Sequence, residues 1–130
     1  MNLEQKKDRI RMTPKALKAF IKLMNVWKVE TVDRQRLIGD VPNFDFENYI
    51  QEADTPIEPL PKEQIELIFS LLNIAKYLRT LFSKPVADDW INRLNCGPLL
   101  VGKTALEYMC ENGPTGIREI QRELAARIYG

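Results

Sequence analysis

Leu17, Phe20, Ile21, Met24 and Trp27 recur at three- and four-residue steps, the spacing of one buried face on an amphipathic helix. Thr13-Pro14 reads as its start, with threonine as N-cap and proline in the first helical position. A second, shorter helix opens at Thr31 and carries Val32, Gln35, Leu37 and Ile38 before Gly39. A third begins after Pro42 and runs through Phe44, Phe46, Tyr49 and Ile50. The stretch DTPIEPLP, residues 54–61, holds three prolines and no periodicity, so it reads as a loop. From Pro61 to Phe82 a broad stripe of Ile65, Ile68, Phe69, Leu72, Ala75, Leu78, Leu81 and Phe82 predicts one long helix.

Beyond Pro85 the pattern shortens. VADDWINRL (86–94) is a short helix and NCGPLLVG (95–102) an irregular apolar loop. KTALEYMCENG (103–113) is a further helix closed by Gly113, and Thr115 caps a last one with Ile117, Ile120, Leu124 and Ile128 facing inward. Nothing alternates with period two, so no sheet is expected beyond a short extended piece at Leu99–Val101. The class is all-α, divided into residues 1–60, a connecting helix over 61–84, and a C-terminal helical unit over 85–130.

Composition narrows the chemistry. The chain of 130 residues is 45% hydrophobic, enough for a core, and has no apolar run long enough to span a membrane. Its charged N-terminus lacks a signal-peptide core, and Cys96 and Cys110 read as reduced thiols of a cytoplasmic protein. There is no histidine, which removes the commonest general base and most zinc sites. Charge is uneven: residues 1–40 hold ten basic against five acidic side chains, and 41–66 one against seven. A basic head points toward nucleic acid.

The octapeptide GPLLVGKT, 97–104, spells the pattern of a phosphate-cradling loop. That loop needs a strand before it and free backbone amides within it. Here a helical pattern precedes it, Pro98 has no amide, and Leu99, Leu100 and Val101 crowd the turn. We read it as an apolar loop opening a helix, so a nucleotide-binding enzyme ranks last and no cofactor is expected.

The second and third helices, separated by the turn GDVPN, suit a helix-turn-helix, with Leu37, Ile38, Phe44 and Tyr49 sharing a small core. A plain three-helix bundle fits the same pattern. In the helix-turn-helix reading Asn43, Asn48 and Gln51 face base edges, while Lys6, Lys7, Arg9, Arg11, Arg34 and Arg36 supply phosphate contacts. Asp45, Glu47, Glu52 and Asp54 oppose a polyanion, so duplex binding needs dimer avidity or has largely been lost.

Three stretches in order resemble the Xre/MbcA/ParS-like antitoxins of bacterial toxin–antitoxin pairs. They are AFIKLMNVWKVETVDRQRLIGDVPNFDFENYI, LPKEQIELIFSLLNIAKYLRTLF, and a final block carrying Trp90, Asn95, Leu99, Gly102, Leu106, Met109 and Gly130. The resemblance covers nearly the whole chain. It implies a helix-turn-helix region at 1–60, a connecting and dimerisation helix at 61–84 and a toxin-binding domain at 85–130. It further implies a homodimer that plugs the active-site cleft of a RES-domain, NAD-depleting toxin and represses its own promoter, with operator DNA held weakly or together with the toxin. Two stretches depart from the family pattern: GPLLVG lacks the usual Pro-Asn and glycine-rich turn, and the third helix is unusually acidic.

Occlusion needs a rigid protrusion and no catalytic residue, so the chain is expected not to be an enzyme. The candidate toxin contacts are Leu99, Gly102, Arg122, Arg127, Tyr129 and the terminal carboxylate at Gly130. Arginine pairs bidentately with acids and tyrosine anchors interfaces. Trp90 reads as core. A stand-alone helix-turn-helix regulator with a C-terminal sensing half is the second reading.

Overall fold

The computed structural model describes residues 2–39, 59–95 and 99–130. The expected third helix, with Asn43, Asn48 and Gln51, lies outside the described residues, as does Cys96. The described chain is mostly helical, in accord with the all-α class.

Helix α1 spans Lys6–Val26 and buries Leu17, Phe20, Ile21 and Met24 as the periodicity requires. Its start corrects the sequence reading. Thr13 and Pro14 lie inside it, because the preceding turn is itself held in place. The Asn2 amide donates to Asp8 (2.9 Å), and Arg9 Nη1 donates back to the carbonyls of Leu3 (2.9 Å) and Glu4 (3.1 Å). Lys62 reaches Glu4 at 2.8 Å, an exposed pair that holds the Glu4 carboxyl below its ordinary range and the Lys62 ammonium above it.

Thr13 is fully buried and serves two partners. Its Oγ1 donates to the Arg9 carbonyl (2.7 Å) and accepts from the Leu60 amide (2.9 Å), so the approach to the long helix is stitched to α1. Thr13→Val keeps the shape but orphans that amide. We expect a loss of about 1–3 kcal/mol in urea unfolding, largely restored by Thr13→Ser; equal stability of the valine variant would show the bond to be immaterial.

Trp27 ends α1, and a Schellman closure follows: Val29 N–H bonds Met24 O (2.9 Å) and Lys28 N–H bonds Asn25 O (3.2 Å). Lys28 takes the left-handed position at φ 57°. Helix α2, Thr31–Ile38, follows directly, and Gln64 Nε2 bonds its last carbonyl at 2.8 Å. Helix α3, Lys62–Leu81, matches the long expected element.

The 86–94 segment differs from expectation. Helix α4 covers Lys84–Asp89, a 3-10 turn covers Trp90–Asn92, and strand β1 at Leu94–Asn95 pairs antiparallel with β2 at Lys103–Thr104. The extended piece expected at 99–101 is displaced to both flanks. Leu100 O accepts from Lys103 N–H at 2.7 Å, which bends those residues into a turn.

Helix α5, Ala105–Tyr129, begins with a full capping box between Thr104 and Glu107. Gly113 leaves helical geometry (φ 63°, ψ −142°) and divides α5 into two arms. The expected cap at Thr115 is therefore corrected: the second arm opens at Pro114, whose fixed φ suits a first helical position.

Helix α3 packs against α1 and α5, and α2 packs against α5. One core joins Phe20 and Trp27 of α1, Leu37 of α2, Ile68 and Leu71 of α3, Trp90, and Met109, Ile117 and Ile120 of α5. The segments 1–60, 61–84 and 85–130 all contribute to it. Trp90 is buried, as read.

Candidate functional site

The second arm of α5 turns Ile117, Ile120 and Leu124 into the core, so Arg118, Arg122 and Arg127 fall on its outer surface. Two shallow hollows meet at Arg122. One, of about 430 Å³, is lined by Leu99, Glu119, Arg122, Glu123 and Ala126. The other, of about 370 Å³, is lined by Tyr77, Arg118, Gln121, Arg122 and Ala125. Leu99 and Arg122 are thus brought together. Arg127 pairs with Glu123 at 3.6 Å, and the Gly130 amide closes the helix end on Ala126 O at 2.9 Å. Tyr129 is 77% exposed and meets Tyr77 edge-on, with ring centroids 6.4 Å apart at 87°. Gly102 is exposed on the hairpin, beside Val101 at 74% exposure.

Several members of this surface escape sequence reading. Arg118 stands one turn before Arg122, and among the described residues neither has an ion-pair partner. Their i, i+4 spacing is visible in the sequence. Tyr77 comes from α3 and joins the site only through tertiary packing. The exposure of Leu94 (72%) and Val101 depends on the hairpin, which periodicity does not reveal.

The kink is braced across its two arms. Tyr108 Oη donates to Glu119 Oε2 at 2.8 Å; that bond, then desolvation and the carboxylate charge, raise the phenol above its ordinary value. Gly116 is buried where the arms approach, and a Cβ there would lie 2.8 Å from Asn112 Cβ and 3.1 Å from Tyr108 O.

The expected DNA contacts divide. Arg34 clasps the α1–α2 corner, donating from Nε to Val29 O (2.9 Å) and from Nη2 to Asn25 Oδ1 (2.8 Å). A phosphate would compete with both bonds. Arg9 is likewise engaged with two carbonyls. Arg36 is exposed and pairs with Asp33 at 3.4 Å. Cys110 is half-buried with Sγ 3.9 Å from Asp33 O; burial, reinforced by the Asp33 charge, pushes its thiol up to about 11, so it is held as an unreactive thiol. Among the described residues no group of three or more histidine, cysteine or acidic side chains is placed to hold a metal, and no helix is long and apolar enough to cross a membrane.

The chain is 30% identical over 118 residues to the uncharacterized protein y4oB of Sinorhizobium fredii (strain NBRC 101917 / NGR234), covering 90% of this chain and 87% of that protein. The chain belongs to the y4oB family. No family model and no solved structure matches it. This surface gathers arginines, an exposed tyrosine and apolar hairpin residues on a braced frame.

Proposed function

We propose that the chain is an antitoxin that binds a cognate RES-type, NAD-depleting toxin and occludes its active site with the second arm of α5. The observation that carries this reading is the arm itself. It ends in a tyrosine 77% exposed, with Arg118 and Arg122 unpaired among the described residues, and its root is locked into the core. A rigid element that exposes arginine and tyrosine side chains along one face suits occlusion of an acidic cleft. The antitoxin resemblance supplies the class of partner, and with it homodimerisation and repression of the pair's own promoter. As a binding protein it performs no turnover.

Co-expression with the neighbouring toxin gene tests it. Ile120 and Leu124 are core, so the informative truncation removes only residues 127–130, whose Arg127, Tyr129 and Gly130 are exposed. Growth rescued by the full chain and lost on this truncation, with helicity by circular dichroism retained, is the expected result. Rescue by the truncated chain would end the occlusion reading.

A further inference from the structure

Helix α1 carries a row of cations that the expected DNA contacts do not use as a set. Lys7, Arg11, Lys15, Lys18 and Lys22 are all exposed. At 3.6 residues per turn they fall within about 80° of arc, on the side opposite the buried Thr13, Leu17, Phe20 and Met24. The row is about 22 Å long, with successive cations spaced by roughly 4.5–6 Å along the helix axis. Half of the fourteen other basic side chains pair with a carboxylate: Arg36 with Asp33, Lys62 with Glu4, Arg79 and Lys84 with Asp88, Arg93 with Asp89, Lys103 with Glu111 and Arg127 with Glu123. Among the described residues the five on α1 have no such partner. The row continues past Lys22 into a hollow of about 520 Å³ between α1 and α3, rimmed by Lys22, Lys76 and Arg79, of which Arg79 pairs with Asp88 at 3.8 Å.

We propose that this face of α1 is a nucleic-acid backbone cradle, laid along the phosphates of a DNA duplex. Unpaired, regularly spaced cations along one helix gain most from a polyanion, because each phosphate neutralised releases a counterion. An anionic membrane is the weaker fit: an interfacial helix must insert its apolar face, and that of α1 is already committed to the core. The contacts fix position and carry no sequence information. The inference rests on the duplex-binding half of the proposed function and is independent of toxin neutralisation.

The test uses the full chain and a short fluorescein-labelled duplex, followed by anisotropy over a salt series. The variant carries Arg11→Gln, Lys15→Gln, Lys18→Gln and Lys22→Gln, exposed changes of near-equal helix propensity. We expect the wild-type chain to bind two unrelated duplexes equally. The variant should bind at least about ten-fold more weakly at moderate salt, its log–log salt slope flattened by roughly 0.9 for each phosphate it no longer neutralises. Helicity and growth rescue against the toxin should persist. Unchanged duplex affinity in the variant overturns the proposal, as does a wild-type chain that binds phosphatidylserine vesicles but no duplex. A wild-type chain that fails to rescue growth yet binds duplex through this row would count against the antitoxin reading and leave the cradle standing.

Discussion

Trp27→Ala is expected to bring the chain close to unfolding at physiological temperature. Trp27 is 1% exposed and among the largest fully buried side chains. It sits where three parts of the molecule meet. Its amide closes α1 on Leu23 O at 2.9 Å, its carbonyl accepts from Asn92 Nδ2 at 2.8 Å, and the corner into α2 starts at the next residue. Truncating a buried aromatic side chain to alanine costs about 3–5 kcal/mol once the residual cavity is included. A domain of this size is stable by roughly 5–15 kcal/mol, so that loss removes a large share of the total. Urea unfolding followed by circular dichroism should show the midpoint falling with an unchanged slope. A change below about 1 kcal/mol would mean that the corner collapses around the gap, and that packing here is looser than the burial of Trp27 implies.

What can be read from the sequence follows the range of the interactions involved. The stripe Leu17, Phe20, Ile21, Met24, Trp27 and the body of α3 are legible because one helix's own periodicity decides which side chains are buried. Thr13-Pro14 misleads for the same reason. By local rules it is a helix start, and only the Leu60 amide, 47 positions away, explains a buried threonine in mid-helix. The kink at Gly113 is signalled by Gly-Pro, but the brace from Tyr108 to Glu119 that sets its angle is not. On the candidate site, Arg122, Arg127 and Tyr129 are legible as a polar helix end, whereas Tyr77 arrives from another helix. Arg34 shows the limit most plainly. In the sequence it is a cation free to meet phosphate, and in the fold its guanidinium holds a corner together. The row on α1 inverts the case. Its spacing is in the sequence, yet its lack of counter-charges among the described residues appears only in the folded chain.

The direction of the second arm of α5 should depend on one backbone angle. Gly113 adopts φ 63° and ψ −142°, a region that side-chain-bearing residues occupy only at a cost of about 1–3 kcal/mol. A β-branched residue is worst placed there, so Gly113→Val should either strain the kink or straighten it. Straightening breaks two further features. The Tyr108–Glu119 bond loses its geometry, and Gly116 no longer packs at van der Waals distance against Asn112 and Tyr108. Arg118, Arg122, Arg127 and Tyr129 would all remain on the chain, but aimed elsewhere. The expected outcome is a lower thermal midpoint with helicity kept or slightly raised, and growth rescue against the cognate toxin lost. Binding of that toxin by calorimetry separates aim from stability when measured well below the midpoint. Weakened binding there places the fault in the arm's direction. Binding equal to that of the parent chain would mean that the arm finds its target whatever angle the kink imposes, and that its side chains alone, not their presentation by a rigid frame, account for recognition.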